Sequence, residues 1–511
     1  MYFVHLQNRV CHWLKQERSI KLPILELSPR QASFALVLLI AISTVGFSLL
    51  AYLKYARFNW QTEDTALFGY AFNQTLHGKF FPCYNNAAST FGAHPNFLFF
   101  LCLPVFWLVP TIYCLFLIQS FALSLAAWPV YLLARDKTGS HLTGLIAAAG
   151  ALLFPPIAAA HVRQIQQDQF GLAILLFAVY FFEKETFKKF ALCMAASLLA
   201  KETFALATAF FGLYALVKRR NWKWVVFPIG WSAGYLLLVI KVLLPLCGTW
   251  GTDLYSKMTY FSQYGNSLGE VSRYFTSNPL RLVGILFGQD GLRYLVQLLL
   301  PLLLVLPFGS WAWLLAAPLT LVNLLSSNHF LRAVSWHYSL IPGGLFWCSF
   351  ICSLPFWNRV LGTRFGVRDY ARGLCLITLL IGAARCDLWL HLDQYVRSPA
   401  HQARLEAVNI IPSNASVFCP ENMLAHYVRH PAINSLHDLL YYERDLNDLF
   451  DYDYVVFDMN FFTYSEMQKQ LLTFISGHPA YRSVYENDGV FVFKRIGMPQ
   501  RVLRLEPATP P

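Results

Sequence analysis

Apolar stretches close to twenty residues long recur along most of this chain, and its lysines and arginines cluster in the short segments between them. A span of the hydrocarbon core needs about 20 apolar residues as a helix. Inside lipid every backbone polar group must be satisfied within the segment, which leaves only helices and closed barrels. Runs of this length predict helices. The chain is 56% hydrophobic and 13% charged, against roughly 25% charged residues in soluble domains, so the fold expected is a polytopic α-helical membrane protein.

Residues 33–53 form the clearest span. Further candidates are 112–134, 142–160, 169–182, 190–201, 203–217, 224–246, 292–308, 311–325, 337–354 and 373–390. That gives about eleven transmembrane helices, within a range of about 10–13. The basic clusters are Arg9/Lys15/Arg18/Lys21/Arg30, Arg135/Lys137, Lys184/Lys188/Lys189, Lys218/Arg219/Arg220/Lys223 and Arg359/Arg364/Arg368/Arg372. With residues 1–32 inside, all of them fall on the cytoplasmic side, as the positive-inside rule requires. The formal charge of +12 is therefore assigned to topology, and no nucleic-acid partner is expected. Residues 97–110 are apolar but too short, and counting them as a span would place three basic clusters outside. They read as a re-entrant or interfacial segment of the first loop. About thirty polar residues precede a full-length first run, which does not fit a cleavable signal peptide.

This topology defines three parts: a cytoplasmic segment 1–32, a transmembrane domain 33–390 whose first external loop is 54–111, and an extracytoplasmic α/β domain 391–511. In the last part, a helix at 405–408, a strand at Ala415–Cys419, a helix at Glu421–Arg429 and a buried strand at Tyr454–Asp458 precede a hairpin. The hairpin pairs Tyr481–Tyr485 with Gly489–Lys494 through a tight Asp488-Gly489 turn. From residue 391 onward there are fourteen acidic and ten basic residues, unlike the basic inner loops. The cysteines show no metal spacing and most behave as small apolar residues; Cys83, Cys247 and Cys419 lie outside, where one disulfide among them is allowed.

Several external segments bring ionisable groups to one face. The first loop carries Glu63, Asp64, His77, Lys79 and His94; the second carries His161, Arg163 and Asp168. Lys201-Glu202 sits at a membrane boundary, and His329, Arg332 and His337 flank another span. Ionisable groups at such depth are costly and usually face a cavity. Each also has an ordinary structural reading: Asp64 as a helix cap, Asp168 paired with Arg163, Lys201-Glu202 as an internal ion pair, His94 as a turn residue before Pro95. His426 and His430 are four residues apart, but with Pro431 following and no glutamate partner they read as a surface feature. The chain has no P-loop, GxGxxG fingerprint or serine-nucleophile elbow, which weighs against cytoplasmic nucleotide chemistry.

The landmarks Asp64-Thr-Ala-Leu-Phe68, Gly78, His94, Gln119, Pro129-Val-Tyr131, Asp168-Gln-Phe170, Lys201-Glu202, Ala317-Pro318, His337-Tyr338 and, in the tail, Ile411-Pro412, Asp453-Tyr-Val-Val456 and Asp488-Gly489 occur in this order. In that order the chain resembles the bacterial membrane proteins of domain of unknown function 2079. That family is similar in layout to the GT-C glycosyltransferases. The resemblance implies an inner (plasma) membrane location, with membrane lipid and a polyprenyl-phosphate-linked sugar donor as partners and an unknown glycan, lipid or protein acceptor. It implies inverting transfer on the extracytoplasmic face, with Asp64 as base or metal ligand and Asp168 as the second acid. His94, Arg163, Lys201, Glu202, Arg332 and His337 are the expected substrate-binding residues; a divalent metal is allowed, with no ligand set assigned. The family pattern has Asp-Phe-His at the second acid, whereas Gly171 follows Gln169-Phe170 here, so any histidine role falls to His161 or His94. Two alternatives stay open, a transporter or flippase for lipid-linked glycans and a non-catalytic assembly protein of the same fold.

Overall fold

The computed structural model describes residues 26–60, 63–84, 89–248, 259–360, 367–386, 391–441, 445–461 and 465–497. The N-terminal basic cluster at Arg9–Lys21 lies outside these residues. α1 (Pro29–Ala56) starts at Ser28, whose hydroxyl caps the Gln31 amide while the Gln31 side chain returns to the Ser28 amide, with Pro29 preset for the first turn. At 28 residues it is about 42 Å long, enough to cross a bilayer.

Then follow α2 (Glu63–Leu76), α3 (Phe99–Leu108), α4 (Ile112–Ser124), α5 (Ala127–Thr138), α6 (His141–Leu152), α7 (Pro155–Val162), α8 (Asp168–Glu183), α9 (Phe187–Leu198), α10 (Phe204–Val217) and α11 (Trp222–Leu238). Among the described residues, four helices are long and apolar enough to cross a membrane unaided: Pro29–Ala56, Ile112–Thr138, Trp222–Leu246 and His337–Val360. A fifth results if the pair α6 and α7, bent by 54°, counts as one span. Several of the eleven expected runs are thus shorter or broken helices. The clearest difference is at 292–308 and 311–325. There an 11-residue helix, Gln289–Leu299, gives way to short 3-10 turns before the nine-residue helix Ala317–Leu325. Pro301 and Pro307 cannot donate to a helical ladder, and Leu303 and Leu304 take left-handed backbone, with φ of 56° and 57°.

The segment 97–110 forms α3, ten residues with Pro104 inside, about 15 Å long and so half a bilayer. Phe99, Cys102 and Phe106 are buried while Leu101, Trp107 and Leu108 are exposed. The innermost helix of the bundle is Leu340–Val360. Its Gly343 and Gly344 pack so closely on Pro156 and Leu172 that added Cβ atoms would approach to 2.9 and 2.8 Å.

α8 carries an acid at each end. Asp168 opens it and Glu183 closes it, about 22 Å away at 1.5 Å per residue. Around Glu183 gather Lys137, Lys218 and the Tyr214 hydroxyl, with Arg135 and Lys184 on Asp136 beside them. This groups basic segments from three separate loops at one end of the bundle.

The C-terminal part holds a five-stranded sheet: β1 (Val417–Phe418), β2 (Ile433–Asn434), β3 (Tyr454–Asp458), β4 (Tyr481–Asn487) and β5 (Val490–Arg495), in the order β2-β1-β3-β5-β4. β2, β1 and β3 are parallel; β3, β5 and β4 are antiparallel. The expected hairpin is present, and Asp488 and Gly489 both take positive φ, 45° and 75°, as a tight primed turn needs. Helix Ser465–Gly477 links β3 to β4.

This sheet unit docks on the first loop. Tyr55 Oη donates to Ala425 O (3.3 Å), Tyr70 Oη to Pro431 O (2.9 Å) and Asn59 Nδ2 to Gln394 O (3.0 Å). A Cβ on Gly69 of α2 would meet Val428 at 3.1 Å. One continuous apolar core joins bundle and sheet. His426 and His430 belong to this junction and are not a surface pair: His426 stacks on Tyr55 and Phe58 at 4.1 and 4.2 Å, and His430 Nδ1 lies 2.9 Å from Ala415 O. Cys83, Cys247 and Cys419 are all free thiols.

Candidate functional site

Asp64 lies in the first turn of α2, after Glu63, where the helix N-terminus favours a negative charge. The chain reaches this point rigidly. Thr65 Oγ1 accepts from Trp60 Nε1 (2.7 Å) and from the backbone N–H of Ile165 (3.2 Å). That second bond ties the start of α2 to the segment between α7 and α8.

The same segment reads Gln164-Ile-Gln166-Gln167-Asp168-Gln169, and its four glutamines are buried. Gln169 Nε2 donates to the carbonyls of Ala160 and Gln164, and its Oε1 accepts from the Gln166 amide (3.0 Å). These bonds fix a short non-helical turn. Gln166 Nε2 is left pointing at Asp64 and hydrogen-bonds its Oδ2.

Lys201 completes the core of the site. It sits in the break between α9 and α10, and its Nζ donates to Asp168 Oδ2 at 3.0 Å; both side chains are almost fully buried. Asp64 and Glu202 also lie within electrostatic reach of Lys201. Burial pushes the Asp64 carboxyl up to about 6 while Lys201 and the Gln166 hydrogen bond pull it down. One ammonium group therefore neutralises Asp168 by contact and biases Asp64 from further off.

Around this centre Glu202 Oε1 meets His94 Nδ1 at 2.7 Å. His337 lies within electrostatic reach of Lys201, His94 and Arg163. Arg163 stacks its guanidinium over Trp336 at 5.1 Å. Seven of the eight expected residues (Asp64, Asp168, His94, Arg163, Lys201, Glu202 and His337) are thus linked by contact or electrostatics at one end of the bundle. Arg332 is engaged elsewhere, donating to Ser326 O at 2.5 Å and facing Asp290 at 3.9 Å.

The sequence places a glycine where the family pattern has a histidine, and the packing accounts for it. A Cβ on Gly171 would come within 2.6 Å of both Ala200 Cβ and the Phe204 ring. Helix α8 lies so close to the Lys201 turn that no side chain fits. Of the two stand-ins, His94 is in the cluster through Glu202. His161 stacks on Phe47 at 3.9 Å, with neither ring nitrogen hydrogen-bonded.

The sequence reading missed a second set of residues, contributed by the sheet unit. His437 Nε2 lies 3.5 Å from Glu63 Oε2. Tyr84 Oη donates to Asp438 Oδ2 (2.9 Å), and the His437 amide donates to Glu421 Oε1 (2.9 Å). Asp64 feels both His437 and Asp438. Nothing in the chain hints at contacts made across more than 350 residues, whereas the run of glutamines beside Asp168 is a local signal that a polar turn is buried there.

Among the described residues no group of three or more His, Cys, Asp or Glu side chains is arranged to hold a metal ion.

A family model described as a predicted membrane protein (DUF2079) matches residues 54–492. No curated protein matches the sequence. Among solved structures, the fold is similar to ArnT from Cupriavidus metallidurans bound to undecaprenyl phosphate, at 14% identity over 89% of this chain and 97% of that one, with a TM-score of 0.52. The apo state of the same protein gives 13% identity, 90% and 98% coverage and a TM-score of 0.54. These likenesses show that the chain shares the overall fold of ArnT.

Proposed function

The chain belongs to the DUF2079 family of predicted membrane proteins, and from that membership and its GT-C-like fold we propose that it is a glycosyltransferase using a polyprenyl-phosphate sugar as donor. The observation that carries this reading is Asp64. It is a carboxylate at a helix N-terminus beyond the first long apolar helix, hydrogen-bonded by Gln166 and biased by Lys201. A titration point raised to about 6 suits a base that must be ionised near neutral pH yet retain affinity for a proton.

In the reaction, the acceptor hydroxyl attacks C1 of the donor sugar. Asp64 takes the hydroxyl proton as the new C1–O bond forms and the bond from C1 to the phosphate oxygen breaks, inverting the anomeric centre. The polyprenyl phosphate leaves as an anion. Positive groups held in a dry site favour that charge. Lys201, anchored by Asp168, and Arg163, braced on Trp336, are the cations available. The basic residues gathered around Glu183 support a cytoplasmic placement of that end, and with it an extracytoplasmic placement of Asp64 and the sheet unit.

The test is Asp64→Asn in purified protein reconstituted in lipid. Transfer should disappear while binding of undecaprenyl phosphate persists. Unchanged transfer in that variant would remove Asp64 from catalysis and favour a non-catalytic assembly role for the fold.

A further inference from the structure

The three parallel strands of the sheet unit end at the same edge, and that edge faces the start of α2. In open α/β sheets, ligands bind beyond the carboxyl ends of the strands, at the crevice where the strand order reverses. Here the chain leaves β1 for β2 on one side and then crosses to β3 on the other, so the reversal falls between β1 and β3. Glu421 and Asn422 follow β1, His437 and Asp438 follow β2, and Asp458 ends β3.

These residues point toward the Asp64 region. His437 contacts Glu63, the Tyr84 hydroxyl of the first loop holds Asp438, and Glu421 is within electrostatic reach of Glu63. Glu421 and Asn422 are 5% and 4% exposed. One atom of each is fixed: Glu421 Oε1 accepts from the His437 amide, and Asn422 Nδ2 donates to Asp458 Oδ2 at 2.8 Å. The other atom of each, Glu421 Oε2 and Asn422 Oδ1, has no hydrogen-bond partner. Buried polar atoms are rarely left so, and both of these are acceptors.

We propose that this edge of the sheet unit binds the sugar of the acceptor, its hydroxyls donating to Glu421 Oε2 and Asn422 Oδ1 and one of them being held toward Asp64. The proposal rests on the reading of Asp64 as the base. The charge of the edge selects between the two sugars of the reaction. Four carboxyl groups, Glu63, Asp64, Glu421 and Asp438, border it, and burial together with the neighbouring carboxylates pushes Glu63 up to about 8 and Glu421 up to about 7, so this edge already resists the negative charge it holds. Such a site repels a sugar carrying phosphate at C1, as the donor does, and accepts a neutral one.

The experiment measures binding of glucose, galactose and mannose, and of their 1-phosphates, to the full-length protein in lipid nanodiscs by saturation-transfer NMR. At least one free sugar should bind, and more tightly than its 1-phosphate. Glu421→Gln, which keeps the shape, and Asn422→Ala should each weaken it by about tenfold or more, with the thermal midpoint of Glu421→Gln unchanged. No binding by any free sugar, preference for the 1-phosphate, or full binding in Glu421→Gln would overturn the assignment. Because the readout is binding, the two ideas fail separately. Sugar binding lost in Glu421→Gln in a protein that never transfers sugar would sink the catalytic reading and leave the edge a sugar-binding site with no acceptor role, and active transfer with no role for Glu421 would sink this one alone.

Discussion

Gly171 lies so near Ala200 that a Cβ built on it would stand 2.6 Å from the alanine methyl. That contact sets the approach of α8 to the turn that carries Lys201, and through it the 3.0 Å bond from Lys201 to Asp168. Gly171→Ala should therefore destabilise the protein by about 1–3 kcal/mol, the usual cost of overpacking. It should lower the thermal midpoint and reduce transfer together, and Gly171→His should be worse. An unaltered midpoint in Gly171→Ala would show that the helices have room to part.

The Asp168–Lys201 pair is buried on both sides, so breaking it from one side leaves a charge without a partner. Asp168→Leu or Lys201→Met alone should cost about 3–5 kcal/mol, whereas the double substitution removes both charges and should recover much of that loss. Thermal unfolding of the three variants in detergent reads this as a strongly non-additive cycle. Additive losses would mean that the two groups do not depend on each other. The double variant should still transfer far more slowly than wild type, since the cation beside Asp64 is gone.

How far the sequence foretold this site depends on how local each signal was. Asp64 could be found because it stands just past a full-length apolar run, and Lys201-Glu202 because charges inside an apolar stretch demand partners. The hairpin at Asp488-Gly489 was legible because its turn chemistry is local. The breaks at Pro301 and Pro307 were equally local, but hydropathy averages over them, so two continuous helices were expected where turns occur. The charge and loop position of Arg332 point to the site, and only the fold shows that it faces Asp290. Glu421, His437 and Asp438 approach Glu63 through tertiary docking alone. His426 was misread for the same reason, because its stacking partners Tyr55 and Phe58 lie some 370 residues away in the chain.

Asp64 titrates at about 6, raised by burial, so below that pH it is protonated and unable to accept the acceptor's proton. kcat/KM should rise with pH through a limb centred near 6 and level off above it. Removing the Lys201 charge, which lowers the Asp64 value, should move the limb to higher pH. Any residual activity of Lys201→Met is enough to measure this. A limb that stays in place would show that another group controls the ionisation.

Arg404 and Asp458 form the buried charge pair beneath the proposed sugar edge. Arg404 Nε donates to Asp458 Oδ2 at 2.7 Å and its Nη1 to Ser398 Oγ at 2.9 Å, and the Asp458 side chain has no exposed surface. The same carboxylate holds Asn422, so the pair orients a residue that presents an open acceptor. Arg404→Ala should cost about 3–5 kcal/mol by stranding Asp458 and should make the segment 401–495 sensitive to limited proteolysis while the helical bundle stays resistant. Arg404→Lys keeps the charge but cannot reproduce the fork to two acceptors, so it should fall between wild type and alanine. If Arg404→Ala resists protease as wild type does, Asp458 has found another partner, and the orientation of Asn422 does not depend on this pair.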